Sequence, residues 1–205
     1  MCHNLKIFSE RMEYKELEIP GVWLLTPPRF GDERGFFAET YRKQEFDAIV
    51  GRSVDFIQDN ESLSAGGVLR GLHFQRGAAS QAKLVRVVEG SVVDIAVDLR
   101  ASSPTFGRHV AVNLSDQNGC QLFVPRGFAH GFLVLSPRAR FIYKVDNYYN
   151  PSAEVTLRYD DPDIAINWPE SESPIKLSPK DINGLSFQEL IDLKYTCYAD
   201  EDYPL

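Results

Sequence analysis

The feature that most limits what this chain can fold into is its punctuation. Short runs rich in Val, Ile, Phe, Tyr and Thr are closed every few residues by Gly, Pro, Asn or Asp. Such runs read as strands, many with the period-2 alternation of a half-buried sheet. They lie at 21–25, 35–41, 53–59, 68–75, 83–89, 91–99, 106–114, 121–124, 131–136, 140–145 and 156–159. Helical signals are confined to 42–50, one turn capped near Ser115, a short piece opened by Ser178 in SPKD, and 187–193. Many short strands with so little helix must bury sheet against sheet. This predicts an all-β jelly-roll barrel of two antiparallel sheets with a few short peripheral helices. No repeat, low-complexity run or linker divides the 205 residues, so we expect one domain over 1–205, its core at about 21–181 and an extension at each end.

Strand parity then sorts residues by face. In AKLVRVVEG, Lys83, Val85 and Val87 share one face and Leu84, Arg86 and Val88 the other. The same rule groups Phe141, Tyr143 and Val145, and groups His130, Phe132 and Val134. A lysine in line with valines is either a strand-end charge reaching water or a pocket residue. In VLRGLHFQRG (68–77), Arg70 and His73 stand three apart. Strict alternation sends them to opposite faces unless Gly71 lets the strand bulge and re-aims one. Taken alone, the stretch reads more simply as a half-buried structural histidine and an edge arginine.

Charge and cysteine content narrow the partners. The balance is 22 basic against 29 acidic residues, net −7, spread along the chain. That disfavours nucleic acid but leaves room for a local cationic pocket. Cys2, Cys120 and Cys197 are odd in number and share no CxxC spacing, so neither a disulfide framework nor a thiolate metal site is signalled. No apolar run reaches bilayer length, and the first sixteen residues are too charged for a secretory signal. A cytoplasmic protein with no membrane partner is expected.

The stretch FVPRGFAHGF contains P-x-G-x-x-H (Pro125, Gly127, His130) and resembles the second motif of the cupin superfamily of β-barrels. In metal-binding cupins that histidine joins an H-x-H pair and a glutamate. Here the matching place reads GLHFQ, with Gln75 two residues after His73, and the remaining histidines, His3 and His109, suggest no cluster. The resemblance therefore implies no metal, with histidines free for acid-base work or substrate binding. No glycine-rich strand-to-helix turn signals a dinucleotide, so no cofactor is expected.

Ten motifs in order narrow the resemblance: FGDERGFFAETY (30–41), QDN (58–60), VLRGLHFQ (68–75), KLVR (83–86), VDIAVDLR (93–100), SPTFG (103–107), PRGFAHGF (125–132), YKVDNYYNPSAE (143–154), INWP (166–169) and SPKD (178–181). Together they resemble the dTDP-4-dehydrorhamnose 3,5-epimerase family. That family's substrate is a dTDP-linked 4-keto-6-deoxy sugar, whose ketone acidifies the hydrogens at C3 and C5. The resemblance implies His73 as base, Asp181 as its carboxylate partner, Lys83 as holder of the C4 oxygen and Tyr143 as acid on the opposite ring face. It matches Arg34, Glu39, Gln58, Asn60, Arg70, His130, Glu154 and Lys180 to substrate-contacting positions, the two arginines suiting phosphates. Asp94 is a candidate support for His130. QDN also reads as a turn with Asn60 left-handed, and Glu39 and Glu154 as solvated strand-end charges.

The family also implies a homodimer, often with N-terminal strands lent to the partner. Trp23, Leu24 and Leu25 add a lighter argument, as apolar residues that a lone barrel would have to cover. Two alternatives stay open: a relative that inverts C3 alone or acts on another nucleotide sugar, and a silent sugar-binding cupin. The tail 187–205, with Tyr195, Tyr198 and Tyr203, is only loosely similar to the family.

Overall fold

Alternation along the strands becomes two stacked layers. In this computed structural model residues 11–171 and 173–196 are described; Cys2, His3, Cys197, Tyr198 and Tyr203 lie outside them. One sheet has six strands in the order β1 (Glu13–Glu16), β2 (Trp23–Thr26), β10 (Gln121–Val124), β7 (Lys83–Glu89), β12 (Arg138–Val145) and β5 (Gln58–Ala65). The other has five, β13 (Glu154–Thr156), β6 (Leu69–Gln75), β11 (Phe128–Val134), β8 (Ser91–Asp98) and β9 (His109–Ser115). All pairs within both sheets are antiparallel. A separate hairpin joins β3 (Phe30–Asp32) to β4 (Gly35–Phe37). The described α-helices are α1 (Lys43–Val50), α2 (Pro179–Ile182) and α3 (Phe187–Asp192), with one 3-10 turn at Gly77–Ala79, and none is long and apolar enough to cross a membrane. The architecture is the jelly-roll sandwich that the strand pattern predicts.

Three apolar clusters account for both faces of both sheets. Between the layers lie Val85, Val87, Leu122, Phe141, Val92, Ala96, Phe132 and Val134. Outside the five-stranded sheet, Leu72, Phe74, Ile95, Val97 and Leu133 pack under the C-terminal segment with Leu157, Ile164 and Leu190. Outside the six-stranded sheet, Leu25, Leu84 and Phe123 receive Phe46 of α1, and Phe46 meets Phe123 edge-on with centroids 5.1 Å apart. Gly51, at φ 73°, ends α1 in the left-handed conformation that favours glycine. The parity assignments hold: Val85, Val87, Phe132, Val134 and Phe141 face inward and Leu84 outward.

Three expectations need correction. The segment near Ser115 is a turn, because the Asn118 carboxamide accepts from the Ser115 amide at 3.1 Å and donates to the Asn113 carbonyl at 2.8 Å. The strand expected at 53–59 begins at Gln58, since Asp47 and Lys43 of α1 hold the Val54 backbone in a loop. Trp23, Leu24 and Leu25 need no partner surface: β2 pairs with β10 of the same chain, and Leu25 is buried against α1.

Candidate active site

The inner face turns polar where β6, β11, β7 and β12 come together. His73 and His130 are cross-strand partners, while Arg70 faces Phe132. Three steps along β6 thus match two along β11, which is a bulge, and it brings Arg70 and His73 onto the same inner face. Gly71 occupies the bulge at φ 121°, and a Cβ there would stand 2.6 Å from Gly131 Cα and 2.8 Å from the His130 carbonyl. Gly71→Ala is therefore expected to cost on the order of 3 kcal/mol, roughly 10 °C in Tm, and to separate Arg70 from His73. Thermal denaturation checks it; an unchanged Tm would show that the bulge tolerates a side chain.

The imidazole of His73 meets a carboxylate from far along the chain. His73 Nε2 lies 2.6 Å from Asp181 Oδ1. Asp181 is buried; its burial would raise its pKa, but hydrogen bonds from His73, Ser178 and the Gly71 amide prevail and hold it at about 2. Lys83, half-buried on β7, reaches across the layers to the His73 carbonyl at 3.4 Å. Burial lowers its ammonium to about 8, against the pull of Asp94 and Glu154. His130 Nε2 hydrogen-bonds Asp94 at 2.9 Å, both buried, and burial draws the imidazole below its ordinary value.

Tyr143 stands on the opposite sheet. It pairs with Val85 and Asn60 in register, so its side chain shares the inner face, and burial pushes its phenol up. Gln58 and Asn60 lie in β5, not in a turn, their side chains hydrogen-bonded at 2.8 Å. Arg70 donates from Nε to the buried Ser64 of β5 at 3.0 Å, tying the two sheets together beside Tyr143. Glu154, at the β13 edge, binds Lys180 and accepts from the Tyr149 hydroxyl at 2.6 Å, so neither charge is a lone solvated strand end.

Ten of the twelve expected residues thus lie on strands of the two facing sheets or on α2, which meets His73 of β6 and Glu154 of β13. Arg34 and Glu39 are not among them. Arg34 is exposed on the β3–β4 hairpin and pairs with Asp32; Glu39 pairs with Arg42. Their segment runs over the outer face of the six-stranded sheet, where the Thr40 carbonyl accepts from Gln121 at 2.7 Å. Sequence reasoning missed Ser64, Tyr149 and the role of Ser178; only Ser178 had a signal, as the cap in SPKD. Among the described residues no group of three or more His, Cys, Asp or Glu side chains converges to hold a metal ion.

The fold is a cupin-type jelly roll whose relatives are carbohydrate epimerases, a class of isomerase, and here it brings an imidazole of β6 against a carboxylate of α2, with a phenol on the facing sheet. The profile of the dTDP-4-dehydrorhamnose 3,5-epimerase family matches residues 16–189, and the chain belongs to that family. The Salmonella typhimurium dTDP-4-dehydrorhamnose 3,5-epimerase is 56% identical over 163 residues, 80% of this chain and 88% of that enzyme. A Legionella pneumophila 3,5-epimerase solved with dTDP-4-keto-L-rhamnose superposes with a TM-score of 0.87 at 43% identity, covering 95% of this chain and all of that one. A 3'-monoepimerase from Streptomyces bikiniensis, solved with dTDP-quinovose, gives a TM-score of 0.83 at 31% identity over 89% of this chain and 91% of its own.

Proposed function

We propose that the chain is a dTDP-4-dehydrorhamnose 3,5-epimerase that inverts C3 and C5 of dTDP-4-dehydro-6-deoxy-D-glucose. The observation that carries the mechanism is the division of labour between the sheets. His73 and Tyr143 project from opposite layers, so a ring lying between them meets a base on one face and an acid on the other. His73 takes the proton from carbon, and Asp181 stabilises the imidazolium that forms. The C4 oxygen gathers negative charge beside the Lys83 ammonium. Tyr143, a phenol protonated at neutral pH whose pKa burial pushes further up, returns a proton to the far face. Arg70 serves the diphosphate, and Gln58, Asn60, His130, Glu154 and Lys180 line the rest of the substrate.

Incubation of the 4-keto sugar nucleotide in deuterated water tests this directly. Label at both C3 and C5, read by NMR, supports the 3,5-epimerase. Label at C3 alone would make it a monoepimerase, and none a silent binder.

Two further results are expected. Lys83 acts only as the cation, and its free-enzyme value is about 8. kcat/KM should therefore fall as pH rises through about 8, and Lys83→Met should remove that alkaline limb while lowering kcat on the order of 10²-fold. A limb that persists in Lys83→Met would assign it to another group. Dialysis against a strong chelator should leave turnover unchanged; activity lost and then restored by zinc or manganese would overturn the metal-free reading.

The active form is a homodimer. Arg34 and Glu39 match substrate positions but lie outside the chain's own cavity. The hairpin that carries Arg34 exposes Phe30, Phe36 and Phe37, an apolar surface suited to a second copy. In a two-fold pair each hairpin would serve the partner's cavity.

A further inference from the structure

The same capping device occurs twice among the described residues, and of these two copies one touches the proposed proton-transfer site. At α3, Ser186 accepts from the Glu189 amide at 3.2 Å and donates to Glu189 Oε2 at 2.8 Å, and Ser186 N–H donates to the same oxygen at 2.7 Å. This is an ordinary exposed capping box with glutamate in the third helical position. At α2 the same box is closed by Ser178 and the shorter Asp181. Ser178 accepts from the Asp181 amide at 3.2 Å and donates from its hydroxyl to Oδ2 at 2.7 Å. The other oxygen, Oδ1, takes the Gly71 amide at 3.3 Å and His73 Nε2 at 2.6 Å.

The two carboxylate oxygens of Asp181 are therefore divided. Oδ2 belongs to the cap and Oδ1 to the imidazole. A carboxylate held by one oxygen can turn about its χ2 bond; held by both, it presents a fixed acceptor to the ring. The Gly71 amide comes from the bulge that brings Arg70 and His73 together, so cap, carboxylate and bulge form one connected unit.

We propose that Ser178 is a positioning residue of the epimerase reaction, its hydroxyl fixing the Asp181 carboxylate so that Oδ1 faces His73 Nε2. This rests on the reading of His73 as the base. The hydroxyl touches neither base nor substrate and acts through Asp181 alone. His73's other titratable neighbours are Glu154, His130 and Lys83, and the hydrogen bonds of the Ser178 side chain run to Asp181.

The test separates positioning from helix capping. Ser178→Ala removes both hydroxyl and cap; Ser178→Gly removes the hydroxyl but keeps most of the capping preference. Both should lower kcat on the order of 10-fold to 100-fold, in the range known for groups that orient a functional side chain, with KM within about twofold. Both should also shift the NMR resonance of the His73 imidazole nitrogen that faces Asp181, followed in the unliganded enzyme. Ser178→Thr should restore both quantities, and Ser186→Gly, at the matching box of α3, should change neither. Ser178→Gly with wild-type kcat and an unmoved His73 resonance would overturn the proposal, as would a kcat loss with the resonance unmoved. Failure of the underlying reading looks different: His73→Asn would keep deuterium exchange at C3, whatever Ser178 does.

Discussion

His73→Asn is expected to abolish both deuterium exchange and net epimerisation, with a loss on the order of 10²–10⁴-fold. Asparagine can still hydrogen-bond Asp181, so the local fold stands, but it cannot take a proton from carbon. His130 does not replace it: it is buried against Asp94, which occupies its Nε2. Tyr143→Phe should behave differently. It removes the acid and leaves the base, so exchange at C3 continues while inversion falls. The pair of variants is informative because the two side chains belong to different sheets, and neither substitution disturbs the other's hydrogen bonds. Label exchange in each, measured beside product formation, checks the assignment. Full epimerase activity in Tyr143→Phe would remove Tyr143 from the mechanism, and persistent exchange in His73→Asn would remove His73.

The two-layer fold was legible because its core strands alternate as a sandwich requires. Parity alone grouped Lys83, Tyr143 and His130 with valines and phenylalanines and left open whether Lys83 reached water or a pocket; in the structure Val85, Val87, Phe132, Val134 and Phe141 of those groups lie between the sheets. Where the pattern failed, function explains part of the failure. β5 reads QDNESLSA, and Gln58, Asn60, Ser62 and Ser64, in register with Val145, Tyr143, Phe141 and Ala139 of β12, are all polar. A strand that lines a polar site loses the apolar signal by which strands are found, so its start was set five residues early. The His73–Asp181 pair was beyond any spacing rule, since 108 residues separate its members. It came only through resemblance. The bulge at Gly71 was foreseen as a condition, because two functional side chains three apart can share a face only if the strand carries an extra residue. Trp23 to Leu25 misled for a simple reason: an apolar strand end does not say which surface covers it, and here α1 and β10 of the same chain do so.

A mixture of two crippled enzymes should regain activity if the hairpin acts across the dimer. Arg34→Ala would lose a bidentate phosphate contact and raise KM on the order of 10²-fold. His73→Asn would be inactive at any substrate level. When the two are unfolded together and refolded, half of the dimers join one copy of each. In such a dimer, the cavity of the Arg34→Ala chain keeps its own His73 and receives an intact Arg34 from the other chain. The second cavity carries both defects. Kinetics at low substrate should then show about a quarter of wild-type activity, one working cavity in each of half the dimers. If Arg34 served its own chain, every cavity in the mixture would still lack one group, and no activity would return. The geometry favours the crossed arrangement, because Arg34 sits exposed on a hairpin, paired with Asp32, and the chain after it lies on the outer face of the sheet that bears Lys83 and Tyr143 inward. Light scattering completes the test: a monomer with full activity would rule out both the dimer and the shared site.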